Sequence, residues 1–345
     1  MIYLFYTRWG ITASNHAGFA YLCDTLEKLF PSEFTVVKTD YFQFKHKYPK
    51  AIIPRIYNGI KRKINKLIKI LHYRSLSIET SKNDILLFTE YMIKGEYDQD
   101  IINRICSKHF FGKKYGIAHL VPRDVERDFS DEEILDWISR LDGLITLGSS
   151  LTDFYKSKGV SPDKLHTTFH YLDNYYHEQP QKTDEEIKVL VQGNMCRDLE
   201  TLDYIVDNCP NISFVICQGY HDFSSRYPQP NVELKSFIPE SELKQLMKEC
   251  RISLNCMYDT IGSNVIVTSL GMGMAMVCSD VGSIRDYCDD SNSILCKTKE
   301  DFVTALNALV KDNEKVYKMQ LNSYRKSKDI LLDKFADELR KIVLQ

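Results

Sequence analysis

The stretch DTIGSNVIVTSLGMGMAMVCSDVGSIRDYC, Asp259 to Cys288, decides the reading of this chain. A turn of small residues, Gly262, Ser263 and Asn264, runs directly into an apolar helix. A short strand follows from Met274 to Ser279, then a second Gly/Ser turn and another helix. The first amides of a helix lack intrahelical acceptors and sit at the positive end of its dipole, so a turn that opens a helix is suited to holding an anion such as a phosphate. Strand and helix alternating in this way build a doubly wound parallel sheet, which binds ligands at the carboxyl ends of its strands.

SNVIVTSLGMGMAMVCSDVGSIRDY resembles the donor-binding segment of retaining glycosyltransferases with the GT-B fold, family 4. Members carry an acidic residue, a small-residue turn, a helix ending in Glu-Ala-Met-Ala-x-Gly, a strand and a closing Gly-Gly-x-x-Asp/Glu turn. The family's second glutamate, which contacts the donor nucleotide, falls here on Thr268, and its first falls on or beside Asp259. The resemblance implies an α/β chain of two Rossmann-like doubly wound domains, with a C-terminal helix crossing back to the first. It implies transfer of a sugar from a nucleotide diphosphate sugar to a sugar or lipid-linked acceptor. The leaving phosphate would be held by Arg and helix N–H groups, with no metal and no cofactor beyond the substrate.

Working outward, 345 residues suffice for two α/β domains, each with its own core. A hydrophobic share of 43% and a charged share of 27% are ordinary for a water-soluble protein, and no apolar run is long enough to cross a bilayer. The opening MIYLFYT is cut short by Arg8, Trp9 and Gly10, and reads as a first buried strand instead of a signal peptide. Ten cysteines occur singly, with no C-x-x-C pair, a pattern of buried reduced thiols in a cytoplasmic protein.

Further strands are expected at Ile2–Thr7, Asp84–Phe88, Lys114–Ala118 and Gly143–Leu147 in the first half. The text from Asp142 to His177 resembles the strand, helix and final strand that close the family's first domain, giving a domain over 1–178. QPQKTDEE, 179–186, is polar and holds a proline, and reads as a linker. The donor domain is expected over 187–325, with strands in KVLVQGN, ISFVICQG, ELKSF and RISLNCM and a helix after Pro239. Closing helices are expected over Lys299–Leu309 and from about Asn322 to Val343, residues 326–345 forming the one that returns to the first domain.

Within the donor domain, four places fall at the carboxyl ends of strands: QGNMCRD, QGYHD, SFIP and the turn from Gly262 to Val265. Arg197 is the leading phosphate ligand, because a guanidinium offers paired donors and stays charged; the alternative is a surface pair with Asp198 or Glu200. Family members place an Arg directly after this first glycine, Gly193, where the chain has Asn194. Ser263, Asn264 and Val265 supply N–H groups to the distal phosphate, or form a plain helix cap. Gly219 ends the second of these strands. Phe237 occupies the position that meets the nucleobase, or is a core aromatic; Asp259 meets the ribose, or is a loop carboxylate. In the first domain the resemblance implies roles for Gly10, where backbone approaches the donor, and for His119 in GIAHLVP, as an acceptor or sugar contact or a structural histidine.

From Tyr41 to Ile78 there are ten Lys/Arg and no Asp or Glu, so against a net charge of −2 the rest of the chain carries −12. Ile56, Ile60, Ile64, Leu67 and Leu71 share one helical face, with Arg62, Lys66 and Lys69 opposite. Residues 55–74 therefore read either as an amphipathic helix on the anionic inner face of a membrane or as a helix packed on the first domain. The acidic remainder and the lack of an RNA-binding motif argue against nucleic acid. The expected function is a retaining glycosyltransferase, metal-independent, in bacterial surface polysaccharide or glycolipid synthesis; the alternative is a GT-B scaffold that binds without turnover.

Overall fold

The apolar runs form strands buried on both faces, as the inner strands of a parallel sheet must be. In a computed structural model, which describes residues 1–8, 15–40, 55–61, 63–64, 67–68, 70–71, 81–93, 112–219 and 221–344, they build two six-stranded sheets. The chain divides into unit 1, Met1–Leu147 and Leu151–Thr168 with the residues from Leu339 onward, and unit 2, Gly148–Ser150 and Phe169–Glu338.

In unit 1 the strands are β1 (Ile2–Arg8), β2 (Phe34–Asp40), β3 (Ile85–Tyr91), β4 (Lys113–Ala118), β5 (Gly143–Thr146) and β6 (Leu165–Thr167). Their order is β2-β1-β3-β4-β5-β6, parallel throughout. β3, ILLFTEY, is buried at every position. The helices are α1 (Phe19–Leu29), α2 (Pro122–Asp128), α3 (Asp131–Ser139) and α4 (Ser149–Ser157). α3 begins in a capping box between Ser130 and Glu133, which satisfies two donors that helix geometry leaves open.

In unit 2 the strands are β7 (Val189–Val191), β8 (Phe214–Gly219), β9 (Val232–Ser236), β10 (Ile252–Asn255), β11 (Ala275–Ser279) and β12 (Ser293–Cys296). Their order is β12-β11-β10-β7-β8-β9, again parallel throughout. The helices are α5 (Leu199–Asn208), α6 (Glu240–Cys250), α7 (Asn264–Gly271), α8 (Ile284–Tyr287), α9 (Lys299–Leu309), α10 (Asn313–Ser327) and α11 (Leu332–Val343). Successive strand residues point to opposite faces. Val189, Val191, Ile216 and Leu254 thus pack with Leu202 of α5 and Leu306 of α9, while Leu190, Val215 and Met276 pack with Met247 of α6 and Ile266 and Leu270 of α7.

Two expectations are corrected. Residues 179–186 are no free linker: they lie within unit 2, where buried Arg251 donates to the carbonyls of Thr183 and Glu185, and Lys182 pairs with Glu314 at 2.7 Å. The expected helix over 322–343 is two helices. Leu331 leaves helical geometry (φ −61°, ψ 157°) to form a parallel bridge with Leu172, whose N–H and C=O bond Ile330 and Leu332. From Leu339 onward, α11 belongs to unit 1, where Arg340 pairs with Glu33 at 2.7 Å over the Phe30 ring. The nine cysteines among the described residues form no disulfide, and no helix of the described residues is long and apolar enough to cross a membrane.

Candidate active site

In unit 2 the chain builds β8 and β9 on one side of β7 and β10 to β12 on the other. The loops after β7 and β10 therefore leave the carboxyl edge at a topological switch point, where open α/β sheets bind ligands. The two loops are stitched together. Arg197 and Met257 form an antiparallel bridge, Asp198 N–H donates to the Cys256 carbonyl (2.9 Å), and Tyr258 N–H donates to the Cys196 carbonyl (3.0 Å).

Gly193 turns the first loop with φ +76°, and a Cβ there would stand 2.5 Å from Val265 Cγ2. Glycine is what lets the loop after β7 lie against the start of α7. In α7, the Ser263 hydroxyl accepts from Ile266 N–H and the Ser263 carbonyl accepts from Val267 N–H at 3.0 Å. The amides of Asn264 and Val265 lie in the first turn, where helix geometry provides no acceptor. Gly193 and Val265, far apart in sequence, are thus neighbours.

The β8–β9 register shifts between Cys217 and Gly219, and side chains from the loop after β7 take up the carbonyls there. Asn194 Nδ2 donates to the Gln218 carbonyl at 3.4 Å and packs against Gly219, and Arg197 Nη2 donates to the Cys217 carbonyl at 3.3 Å. The alternative reading, a surface pair of Arg197 with Asp198, does not form: Asp198 caps α5 by accepting from Thr201 N–H. Arg197 Nη1 is buried and has no hydrogen-bond partner. Burial lowers the guanidinium pKa from its usual value, with Tyr227, Cys217 and Cys256 opposing the shift. A buried, unsatisfied cationic donor is costly, and an anion within reach relieves that cost. Tyr227, Cys217 and Cys256 lie around this guanidinium, while Gly193 meets Val265 and Asn194 meets Gly219.

The remaining positions of unit 2 belong to the loops and helix described above or follow β9. Asp259 accepts from Thr260 N–H within its own turn at 2.7 Å, beside Gly282. The Thr268 hydroxyl donates to the Asn264 carbonyl at 2.6 Å, so the residue at the family's glutamate position is turned back onto its own helix. Phe237 is no core aromatic: it is 54% exposed, one residue past Ser236, which pairs with Gly219. Met195 (75% exposed) and Tyr258, in the two stitched loops, are also exposed and were not singled out in the sequence. Their signal was available, since each is a large apolar residue in a polar loop just beyond a strand. In unit 1, His119 follows β4, its ring centroid 5.5 Å from that of Phe19, and Glu90 is a buried carboxylate near the end of β3 that sequence reading passed over. Gly10 lies outside the described residues, as does the single D-x-D tripeptide, Asp98-Gln99-Asp100. Among the described residues no group of three His, Cys, Asp or Glu could hold a metal ion.

Two doubly wound parallel sheets of this topology make the chain a protein of the GT-B fold class. Within it, residues 186–312 match the family model for glycosyl transferases group 1. HepE from Anabaena, solved in complex with UDP, superposes with a TM-score of 0.71 at 13% identity, covering 99% of both chains. Sucrose-phosphate synthase from Thermosynechococcus elongatus gives 0.75 at 12% identity, over 99% of this chain and 98% of that one. The lipopolysaccharide outer core galactosyltransferase WaaB in its apo form gives 0.66 at 14%, over 99% of each. By sequence, no curated protein matches the chain. At such identities these likenesses speak to the fold.

Proposed function

We propose that the chain is a glycosyltransferase that transfers a sugar, with retention, from a nucleoside diphosphate sugar to a sugar or lipid-linked acceptor. The observation that carries this is the contact of Gly193 with Val265 at the switch point of unit 2, beside the first-turn amides of α7. The group 1 match spans these residues, and the HepE structure holds UDP. Amides of the first helical turn receive the distal phosphate, and Arg197 Nη1 offers a buried positive donor to the same nucleotide. Both are fixed before the substrate arrives, which is what stabilising a leaving phosphate requires. Phe237 and Tyr258 are the exposed aromatic surfaces available to a base. Because fixed donors can neutralise the diphosphate, the reaction is proposed to run without a metal.

The test is calorimetric titration with a panel of uridine, guanosine, adenosine and thymidine diphosphate sugars, followed by release of nucleoside diphosphate in EDTA. Failure to bind any of them overturns the proposal, and turnover that vanishes in EDTA overturns its metal-independent part. Thr268, whose hydroxyl is spent on Asn264, favours a second reading, a scaffold that binds the nucleotide sugar without turnover. Binding with no nucleotide release under any acceptor mixture would establish that reading.

A further inference from the structure

Residues 55–71, which lie between β2 and β3 in the sequence, are helical wherever the structure describes them. Their large apolar side chains are turned outward: Ile56, Tyr57, Ile60, Ile64, Leu67, Ile68 and Leu71 are each 52–58% exposed. At 100° per residue, these seven positions fall within an arc of about 120°. The partly buried residues, Asn58, Gly59, Lys61 and Ile70, lie outside that arc. A helix packed on its own domain shows the reverse arrangement, with its apolar stripe buried and its polar side wet. Lys61 and Lys63 flank the stripe and Arg55 falls on the opposite side of the wheel, and the sequence from Tyr41 to Ile78 holds ten Lys/Arg and no acidic residue.

We propose that this helix docks the protein on an anionic lipid surface, lying flat with its apolar arc in the acyl boundary and its lysines among the headgroups. Six cations within the segment exclude a transmembrane placement, while a wide apolar arc rimmed by lysines is the pattern of an interfacial helix. Charge decides between occupants. A second copy would bring the same cationic segment face to face with itself, whereas an anionic surface is complementary to it. Nucleic acid would meet the cations and leave the apolar arc in water. This inference is independent of the nucleotide site, because it rests on a different unit and on none of the same residues.

The experiment is sedimentation of the full chain with phosphatidylcholine vesicles containing, or lacking, about one-third phosphatidylglycerol, at low and high salt. Wild type is expected to pellet with the anionic vesicles, at least tenfold more strongly than with the neutral ones, and to release partly in high salt. The triple variant Ile60→Ser, Ile64→Ser, Leu67→Ser is expected to lose at least tenfold in vesicle affinity while keeping its nucleotide-sugar affinity, since these side chains are already in water. Absence of wild type from both pellets overturns the proposal, and so does equal binding to the two vesicle types. Concentration-dependent dimerisation that the triple variant abolishes, without vesicle binding, assigns the face to a second copy and overturns it as well. Retained vesicle binding by the triple variant overturns the assignment to this helix.

Discussion

Gly193 and Val265 touch across the switch point of unit 2, so closely that a methyl group on Gly193 would press on Val265 Cγ2 at 2.5 Å. Gly193 also holds φ +76°, a conformation that costs a residue with a side chain roughly 1 kcal/mol or more. Gly193→Ala is therefore expected to destabilise the protein by about 1–3 kcal/mol and to weaken nucleotide-sugar binding at least tenfold. Val265 is β-branched and cannot swing away. Adding Val265→Ala to Gly193→Ala should therefore recover part of the loss, and the two changes should be non-additive in a denaturant-titration cycle. Simple additivity would mean that the contact does not govern the turn.

What was legible in the sequence was local. Lys299–Leu309 could be read as a helix to its ends because Thr298 and Asp301 form a capping box around an apolar stripe. The loops after β7 and β10 could be read because Gly, Asn and Ser gather where strands stop. β2 and β12 were not foreseen: both lie at sheet edges, and SILC is only four residues long. The direction of Arg197 was illegible for another reason, since it answers to a register shift in β8 that no spacing announces. The outward turn of the Ile56–Leu71 stripe was equally hidden, because one periodicity serves a buried helix and an interfacial one alike.

His170 is buried, its Nδ1 3.0 Å from the Tyr171 carbonyl, and burial pushes its pKa down to about 4. An unfolded histidine takes its proton near pH 6.5. Above about pH 6.5 both states are neutral and no stability is lost; between about 6.5 and 4 only the unfolded chain binds the proton. Stability is therefore expected to fall as the pH falls through that window, by up to about 3 kcal/mol, and to level off below it. His177, also lowered by burial and then by Lys328, acts in the same direction. His170→Asn keeps a donor for the carbonyl but does not titrate, so its urea midpoints should vary less between about pH 4.5 and 7 than those of wild type. An unchanged slope would remove His170 from the account.

Arg251 is buried at φ +61° and fixes the segment around Thr183 by donating to the carbonyls of Thr183 and Glu185 and to Asn313 Oδ1 at 2.8 Å. Arg251→Met removes three hydrogen bonds, at a cost of about 3 kcal/mol. Because the loss is local, the polar stretch 179–186 should become a cleavage site in limited proteolysis before the core of unit 2 opens. Cleavage elsewhere first would show that this stretch is held by its ion pairs instead.

Arg197 offers the sharpest test, because its two terminal nitrogens make opposite demands. Nη2 supports the Cys217 carbonyl, a contribution to stability of about 1–3 kcal/mol, whereas Nη1 is buried without a partner and costs a similar amount. Arg197→Met exchanges both terms at once, so the unliganded protein should unfold within about 1 kcal/mol of wild type. Nucleotide binding should behave otherwise. With the cation gone, the phosphate loses a charge-assisted donor, and affinity for a nucleoside diphosphate should fall tenfold or more. The same loss should appear in thermal melts, where wild type gains stability with added nucleotide and the variant gains much less. A variant that is markedly less stable yet binds the nucleotide as tightly as wild type would make Arg197 a prop for β8 alone.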